Sequence, residues 1–260
     1  MPFVKAEHII STLHDWEIYA PPKRPDQWVD GRSAKEVARA WLAGSGKTLP
    51  VEVENVLNGS KNFGPTQSWI AEPEAKLRFD AFGEPSNCDL AVHVKDQAGG
   101  YILAVEAKAD EPFGDTVKKT IEAATERLNA NPQSNGLRRV HQLKAAILGR
   151  KLEDQESDTR IRYQLLTACA GALCEAERNN YSRALVLIHE FITDRTEDIK
   201  HQRNANDLNE FTIEISKNKI LKIEPGIIYG PITVPGNPIL ISKVDLFIGK
   251  VFRNIRGAEK

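Results

Sequence analysis

Asp89 and, seventeen residues later, Glu106-Ala107-Lys108 are the residues of this chain whose types and spacing suit metal-assisted hydrolysis of a phosphodiester. That reaction needs a hydroxide in line with the leaving oxygen and a counter-charge for the oxygens on phosphorus. Magnesium provides both. It takes carboxylate oxygens plus water in near-octahedral geometry, so two acidic side chains suffice as the protein's share. Alternate residues of a strand share a face, which sets Glu106 and Lys108 side by side. An ammonium there can orient the attacking water and offset phosphate charge, which neither carboxylate can do. The competing reading of a bare Glu-x-Lys is a surface ion pair. However, the run Tyr101-Ile102-Leu103-Ala104-Val105 ahead of it is apolar throughout, the mark of a strand covered on both faces, and charges ending such a strand call for a partner or ligand.

The elements that must position these groups are legible. Strand-like segments run over Trp69–Phe79, Asp89–Val94 and Tyr101–Ala109, and Ala98-Gly99-Gly100 predicts an antiparallel hairpin between the last two. On the second segment Asp89, Ala91 and His93 share one face, with Leu90, Val92 and Val94 on the other. On the third, Glu106, Lys108 and Asp110 share a face, so the hairpin can bring Asp89 and Glu106 onto one metal. Upstream, Pro21-Pro22-Lys23-Arg24-Pro25 reads as a stiff extended connector. A helix with a Ser33/Glu36 capping box follows and stops at Gly44, and a second runs from Pro50 to Asn58 with Val53, Val56 and Leu57 inward. Downstream, helices are expected over Thr116–Ala130, Val140–Leu148 and Thr159–Arg178, then a buried strand over Ala184–Ile192. In the Thr159–Arg178 helix Ile161, Leu165, Ala168, Ala172 and Ala176 face inward, with Gln164 among them. After Thr193 come a polar helix, a strand near Phe211–Ile215 and a Pro/Gly-punctuated β tail over Ile227–Phe252. This order predicts an α/β sandwich with a mixed sheet.

The ordered series Pro85-Ser86-Asn87-Cys88-Asp89, Val105-Glu106-Ala107-Lys108, Glu111-Pro112-Phe113-Gly114, Ile161-Arg162-Tyr163-Gln164-Leu165-Leu166 and Ala184-Leu185-Val186-Leu187-Ile188-His189-Glu190-Phe191 resembles the PD-(D/E)XK nuclease superfamily. It is similar to an uncharacterised prokaryotic branch of that superfamily, over roughly residues 70 to 193, with Cys88 where the signature often has proline. The resemblance implies a restriction-endonuclease-like αβββαβ core, a mixed central sheet flanked by helices, with an N-terminal extension (1–30), a nuclease core (31–193) and a C-terminal helix and β appendage (194–260). It also implies Mg2+, with Mn2+ as substitute, held by Asp89, Glu106 and the backbone carbonyl of Ala107, with Lys108 as catalytic lysine. Many members add a glutamate from the first core helix. Glu54 is favoured here, with Glu52, Glu72 and Glu74 as rivals, and Gln164 is an accessory candidate whose alternative is a satisfied structural amide.

Composition bounds the rest. With 35 Lys+Arg against 36 Asp+Glu, the chain is no general polyanion binder, so a nucleic-acid surface must be local. Between Val117 and Arg162 ten Lys/Arg stand against six acidic residues, a candidate source of phosphate contacts or, equally, a solvated helical surface. Cys88, Cys169 and Cys174 make no Cys-x-x-Cys pair and suit a reducing cytoplasm. No segment approaches a membrane span, and the N-terminus does not read as a signal peptide. Gly44-Ser45-Gly46-Lys47-Thr48 mimics the end of a phosphate-binding loop, but a helix precedes it and Leu49-Pro50 follows. His189 reads as a packed histidine, and Trp16, Trp28, Trp41 and Trp69 as core and interface aromatics. The function expected is an Mg2+-dependent endonuclease acting on nucleic acid, DNA first, with a homodimer suggested by the symmetry of cutting two strands. The rival is an inactive nuclease-fold module binding nucleic acid or a protein partner in a defence or toxin-related complex.

Overall fold

The computed structural model describes residues 3–44, 46–82, 85–154 and 158–257, so Ser45 of the loop-like motif lies outside the described residues. In chain order the elements are β1 (Val4–Lys5), β2 (His8–Ile9), α1 (Leu13–Tyr19), α2 (Ser33–Leu42), α3 (Val51–Asn58), β3 (Ser68–Leu77), β4 (Ser86–Asp96), β5 (Gly99–Lys108), α4 (Val117–Ala130), α5 (Gly136–Leu143), α6 (Tyr163–Arg178), β6 (Arg183–Ile192), α7 (Asp198–Ile215), β7 (Ile228–Ile232) and β8 (Asp245–Asn254). A six-stranded sheet in the order β3-β4-β5-β6-β8-β7 forms the middle layer. It is mixed: the β5/β6 and β6/β8 pairs are parallel, while the β3/β4, β4/β5 and β7/β8 pairs are antiparallel. No helix is long and apolar enough to cross a membrane among the described residues.

Period-two alternation divides the core in two. Leu90, Val92 and Val94 of β4, with Tyr101, Leu103 and Val105 of β5, pack against α1, α2 and α3. Ala91 of β4 and Ile102 and Ala104 of β5 pack against α4 to α7 on the other face. The central strands therefore read as near-continuous apolar runs because each face is covered by helices. The turn of the β4/β5 hairpin closes on Asp96, whose Oδ1 accepts the Ala98 N–H at 2.8 Å.

Several expectations are corrected. The Ser33/Glu36 capping box does not form: Glu36 Oε1 instead accepts the Gly31 N–H at 2.7 Å, and Ser33 turns to Glu111. The Thr159–Arg178 helix begins only at Tyr163, because Arg162 is held extended in an antiparallel bridge to Thr116, with Val117 N–H to Ile161 O and Tyr163 N–H to Asp115 O on either side. The Val140–Leu148 helix starts earlier, at Gly136, and its last turn, Lys144–Leu148, widens to a π-helical turn around the buried Lys144. The strand expected at Phe211–Ile215 is the end of α7. Its β-branched and aromatic residues suggested a strand, but Leu208, Phe211, Thr212 and Ile215 are buried at helical spacing.

The tail strand β8 lies between β6 and β7 within the central sheet. The N-terminal residues also pack onto the sheet: Phe3 bridges Ala71, and Trp16 is buried.

Candidate active site

The site arises where the β4/β5 ladder stops. Those strands pair only as far as Leu90 opposite Val105. Beyond that point β4 stays paired with β3 down to Ser86, while β5 stays paired with β6 up to Lys108. The two strands splay, and Asp89 and Glu106 occupy the fork. Asp89 Oδ2 accepts the Ala107 N–H at 2.7 Å, which carries the strand interaction across the gap. Lys108 Nζ donates to Glu106 Oε1 at 2.7 Å, both side chains being buried, and lies 5.2 Å from the centre of the Phe113 ring. Gln164, from the first turn of α6, donates to the same Glu106 oxygen. The sequence-predicted residues Asp89, Glu106, Ala107, Lys108 and Gln164 all line one cleft of about 510 Å3.

Glu54 and Glu52 are not among the lining residues, because α3 packs on the opposite face of the sheet. A further acid in the cleft, beside Asp89, is Glu74 of β3. The β3/β4 register sets it opposite Asp89, between the pairs Pro73–Leu90 and Ala75–Cys88. Its φ of 47° is unusual for a residue with a side chain, and Lys5 secures the bend by donating to the Glu74 carbonyl at 2.7 Å. Alternation along an ideal strand gives no sign of such a residue, so strand parity did not single it out.

The electrostatics follow from three carboxylates sharing one lysine. Burial, and then the Glu106 charge, push Asp89 well above the ordinary carboxylate range, with Lys108 pulling the other way. Burial and Glu106 push Glu74 up to about 7. For Lys108 burial acts to lower the value, but Glu106 and Asp89 outweigh it and hold the ammonium charged.

Among the described residues, no group of three or more His, Cys, Asp and Glu side chains is already arranged to hold a metal ion. The donors present are hard oxygens in a cleft with surplus negative charge, which is the chemistry that suits Mg2+ or Mn2+. Asp89 and Glu106 would be its acidic ligands and the Ala107 carbonyl a neutral one.

The loop after Lys108 ties the cleft together. Glu111 accepts from Ala109 N–H (2.7 Å) and from Ser33 Oγ (3.1 Å), while Asp110 pairs with Arg32 (2.7 Å) and Lys200 (3.2 Å). The N-terminus of α2 is thereby fastened to the end of β5, and the connector residues Pro22, Lys23 and Gln27 become part of the cleft lining. By contrast, much of the basic segment 117–162 is already neutralised. Arg150, Arg160 and Arg162 pair with Glu214, Glu210 and Asp207 of α7, Arg139 with Asp80, and Lys144 with Asp158. One-dimensional charge counting missed α7 as the acidic partner.

Glu52 does other work. Trp41 Nε1–H donates to His189 Nδ1 at 3.3 Å, which leaves the proton on Nε2 to reach Glu52 at 2.8 Å, and Arg253 clamps the same carboxylate at 2.7 and 2.9 Å. Burial pushes His189 below its ordinary value, with Glu52 opposing. Burial acts to raise Glu52 as well, but His189 and Arg253 outweigh it and hold the carboxyl at about 2. Both groups bind more protons when unfolded. Their stabilisation is therefore complete above about pH 6.5; the His189 share falls below that, and the Glu52 share is lost from about pH 4.5 down to 2. Glu52→Gln is expected to lower stability at pH 7 by on the order of 2–3 kcal/mol and to flatten the acid limb of a melting-temperature profile below pH 5. An unchanged acid limb would show that Glu52 is not a source of it.

No curated protein and no solved structure matches the chain. A family model does match, over residues 9–255, nearly the full length, and the chain accordingly belongs to DUF6946, a domain of unknown function.

Proposed function

We propose that this protein is a divalent-metal-dependent nuclease of the restriction-endonuclease-like, PD-(D/E)XK kind, acting on nucleic-acid phosphodiesters, DNA first. The observation that carries the reading is the fork at Leu90–Val105, where Asp89, Glu106 and Lys108 meet in one cleft. These are the three residues whose types suit phosphodiester hydrolysis. A bound Mg2+ would supply the activated hydroxide and offset charge on the phosphate.

The chain's own residues do the rest. Lys108, held as a buried ammonium by Glu106, is a fixed positive charge for a phosphate oxygen and can hold the attacking water. Gln164 restrains Glu106 by its amide, and the Ala107 N–H restrains Asp89, so neither carboxylate has to be ordered when substrate arrives. Water adds to phosphorus, the bond to the leaving sugar oxygen breaks, and that oxygen takes up a proton.

The test uses purified protein with plasmid and oligonucleotides in Mg2+ or Mn2+. Hydrolysis is expected to require metal and to fall at least about 100-fold in Glu106→Gln. Calorimetry should find an Mn2+ site that disappears in Asp89→Asn. Cleavage that survives both Glu106→Gln and Lys108→Ala, or protein that binds no Mn2+, sinks the reading; the latter would favour an inactive binding module.

A further inference from the structure

The shape and charge of the cleft limit what can reach its floor. Glu106 and Lys108 are only 3% and 6% exposed, at the bottom of a cleft of about 510 Å3. That volume lies in the range, about 300–1,000 Å3, of pockets that enclose small ligands. One wall is the Pro22–Gln27 connector, which is not a loose arm. Arg32–Asp110 and Ser33–Glu111 fasten the segment just after it to the end of β5, and Trp28 packs on the core. Tyr163 and Thr167 of α6 also line the cleft.

Charge sets a second limit beside the burial of the floor residues. Lining residues include two cations, Lys23 and Lys108, against five acids, Glu74, Asp89, Glu106, Glu111 and Asp115. Half of the ten cations of the basic segment, Arg139, Lys144, Arg150, Arg160 and Arg162, are paired with α7 or with Asp80 and Asp158. Proteins that grip a duplex neutralise a run of phosphates with Lys and Arg, and that run is lacking among the lining residues.

Building on the nuclease reading above, we infer that the substrate is a single-stranded end or short oligonucleotide, threaded one or two nucleotides deep into the cleft, and not the interior of a duplex. An unpaired strand can bend into the cleft and present one phosphate to the buried Glu106 and Lys108, as enzymes that act on unstacked nucleotides require. Tyr163 offers a ring beside the path, and exposed Lys23 offers one phosphate contact at the rim.

The experiment compares, in Mn2+, the wild-type protein on linear single-stranded oligonucleotides of about four to ten nucleotides, in DNA and RNA, with a covalently closed plasmid and a blunt duplex of matching sequence. The linear single strands should be hydrolysed at least about 100-fold faster than the plasmid is nicked. With at most two phosphate contacts, oligonucleotide affinity should fall by no more than about tenfold between 50 and 200 mM salt. Lys23→Ala should raise KM for the oligonucleotide several-fold and leave kcat in place. Plasmid nicking at a rate comparable with oligonucleotide hydrolysis overturns the inference and leaves the nuclease reading standing. Hydrolysis of neither substrate removes both.

Discussion

Lys108→Ala is expected to slow phosphodiester hydrolysis by about 10²–10³-fold at saturating metal and substrate, with a folded protein that still binds Mn2+. The ammonium sits 2.7 Å from Glu106 Oε1, buried in a cleft where a preorganised charge acts at low dielectric. Removing it takes away the cation that Asp89 and Glu106 share. Two effects then separate. Transition-state charge loses its partner, so kcat falls. The surplus of negative charge grows, so Mn2+ affinity is expected to hold or rise. A structural role for Lys108 would move both together, with lower melting temperature and weaker metal binding. Single-turnover kinetics alongside calorimetry on the one variant distinguishes the outcomes, and a fall in kcat of less than about tenfold would deny Lys108 its catalytic role.

Asp96→Ala is expected to cost about 3–5 kcal/mol of stability, the largest loss anticipated away from the cleft. Asp96 ends β4, and its carboxylate takes Arg183 of β6 in a two-pronged pair (2.7 and 2.9 Å), with the Gly64 and Ala98 N–H groups at 3.1 and 2.8 Å. Arg183 also donates to the carbonyls of Asn62 and Gly99 and lies 5.3 and 5.0 Å from the Phe63 and Tyr101 rings. Both side chains are buried, so truncating one strands the other's charge. Burial acts to raise the Asp96 carboxyl, but Arg183 and the Gly64 N–H outweigh it and hold the group below its ordinary 3.8. A depressed carboxylate stabilises above its unfolded value, and that stabilisation is lost as pH falls through the folded one. Urea denaturation at pH 7 should show the midpoint drop with an unchanged slope, and the variant should be less sensitive to further acidification. Asp96→Ala/Arg183→Met should lose less than the sum of the single changes. A loss below about 1 kcal/mol would mean that the buried pair is not a main support of the fold.

The polar clusters differ in how far they could be read from the sequence. Asp89, Glu106, Lys108 and the hairpin joining them follow from local rules: an apolar run on both strand faces, a Gly-Gly turn and period-two alternation. Gln164 was a candidate by helical spacing and does donate to Glu106. Glu54 was favoured because it lies on a helix before three strands, but that helix covers the opposite face, a matter of which side of the sheet a connection crosses. Glu74 depended on a left-handed backbone held by Lys5, a contact spanning roughly seventy residues. Phe211–Ile215 was misread because three β-branched residues and a phenylalanine look like a strand until Leu208 supplies the helical period.

By itself the sequence determined the alternating core, the order of strands and helices from Ser33 through Ile192, and a triad of residues whose types suit phosphodiester chemistry. These are set by near-neighbour sterics and by burial period, which act within a turn or a hairpin. Only the tertiary structure decided that β8 and β7 complete the central sheet, that α7 takes Arg150, Arg160 and Arg162 of the basic segment, and that the N-terminal connector lines the cleft with Lys23. Those outcomes depend on pairings between residues dozens of positions apart, whose geometry and electrostatics exist only once the layers have packed.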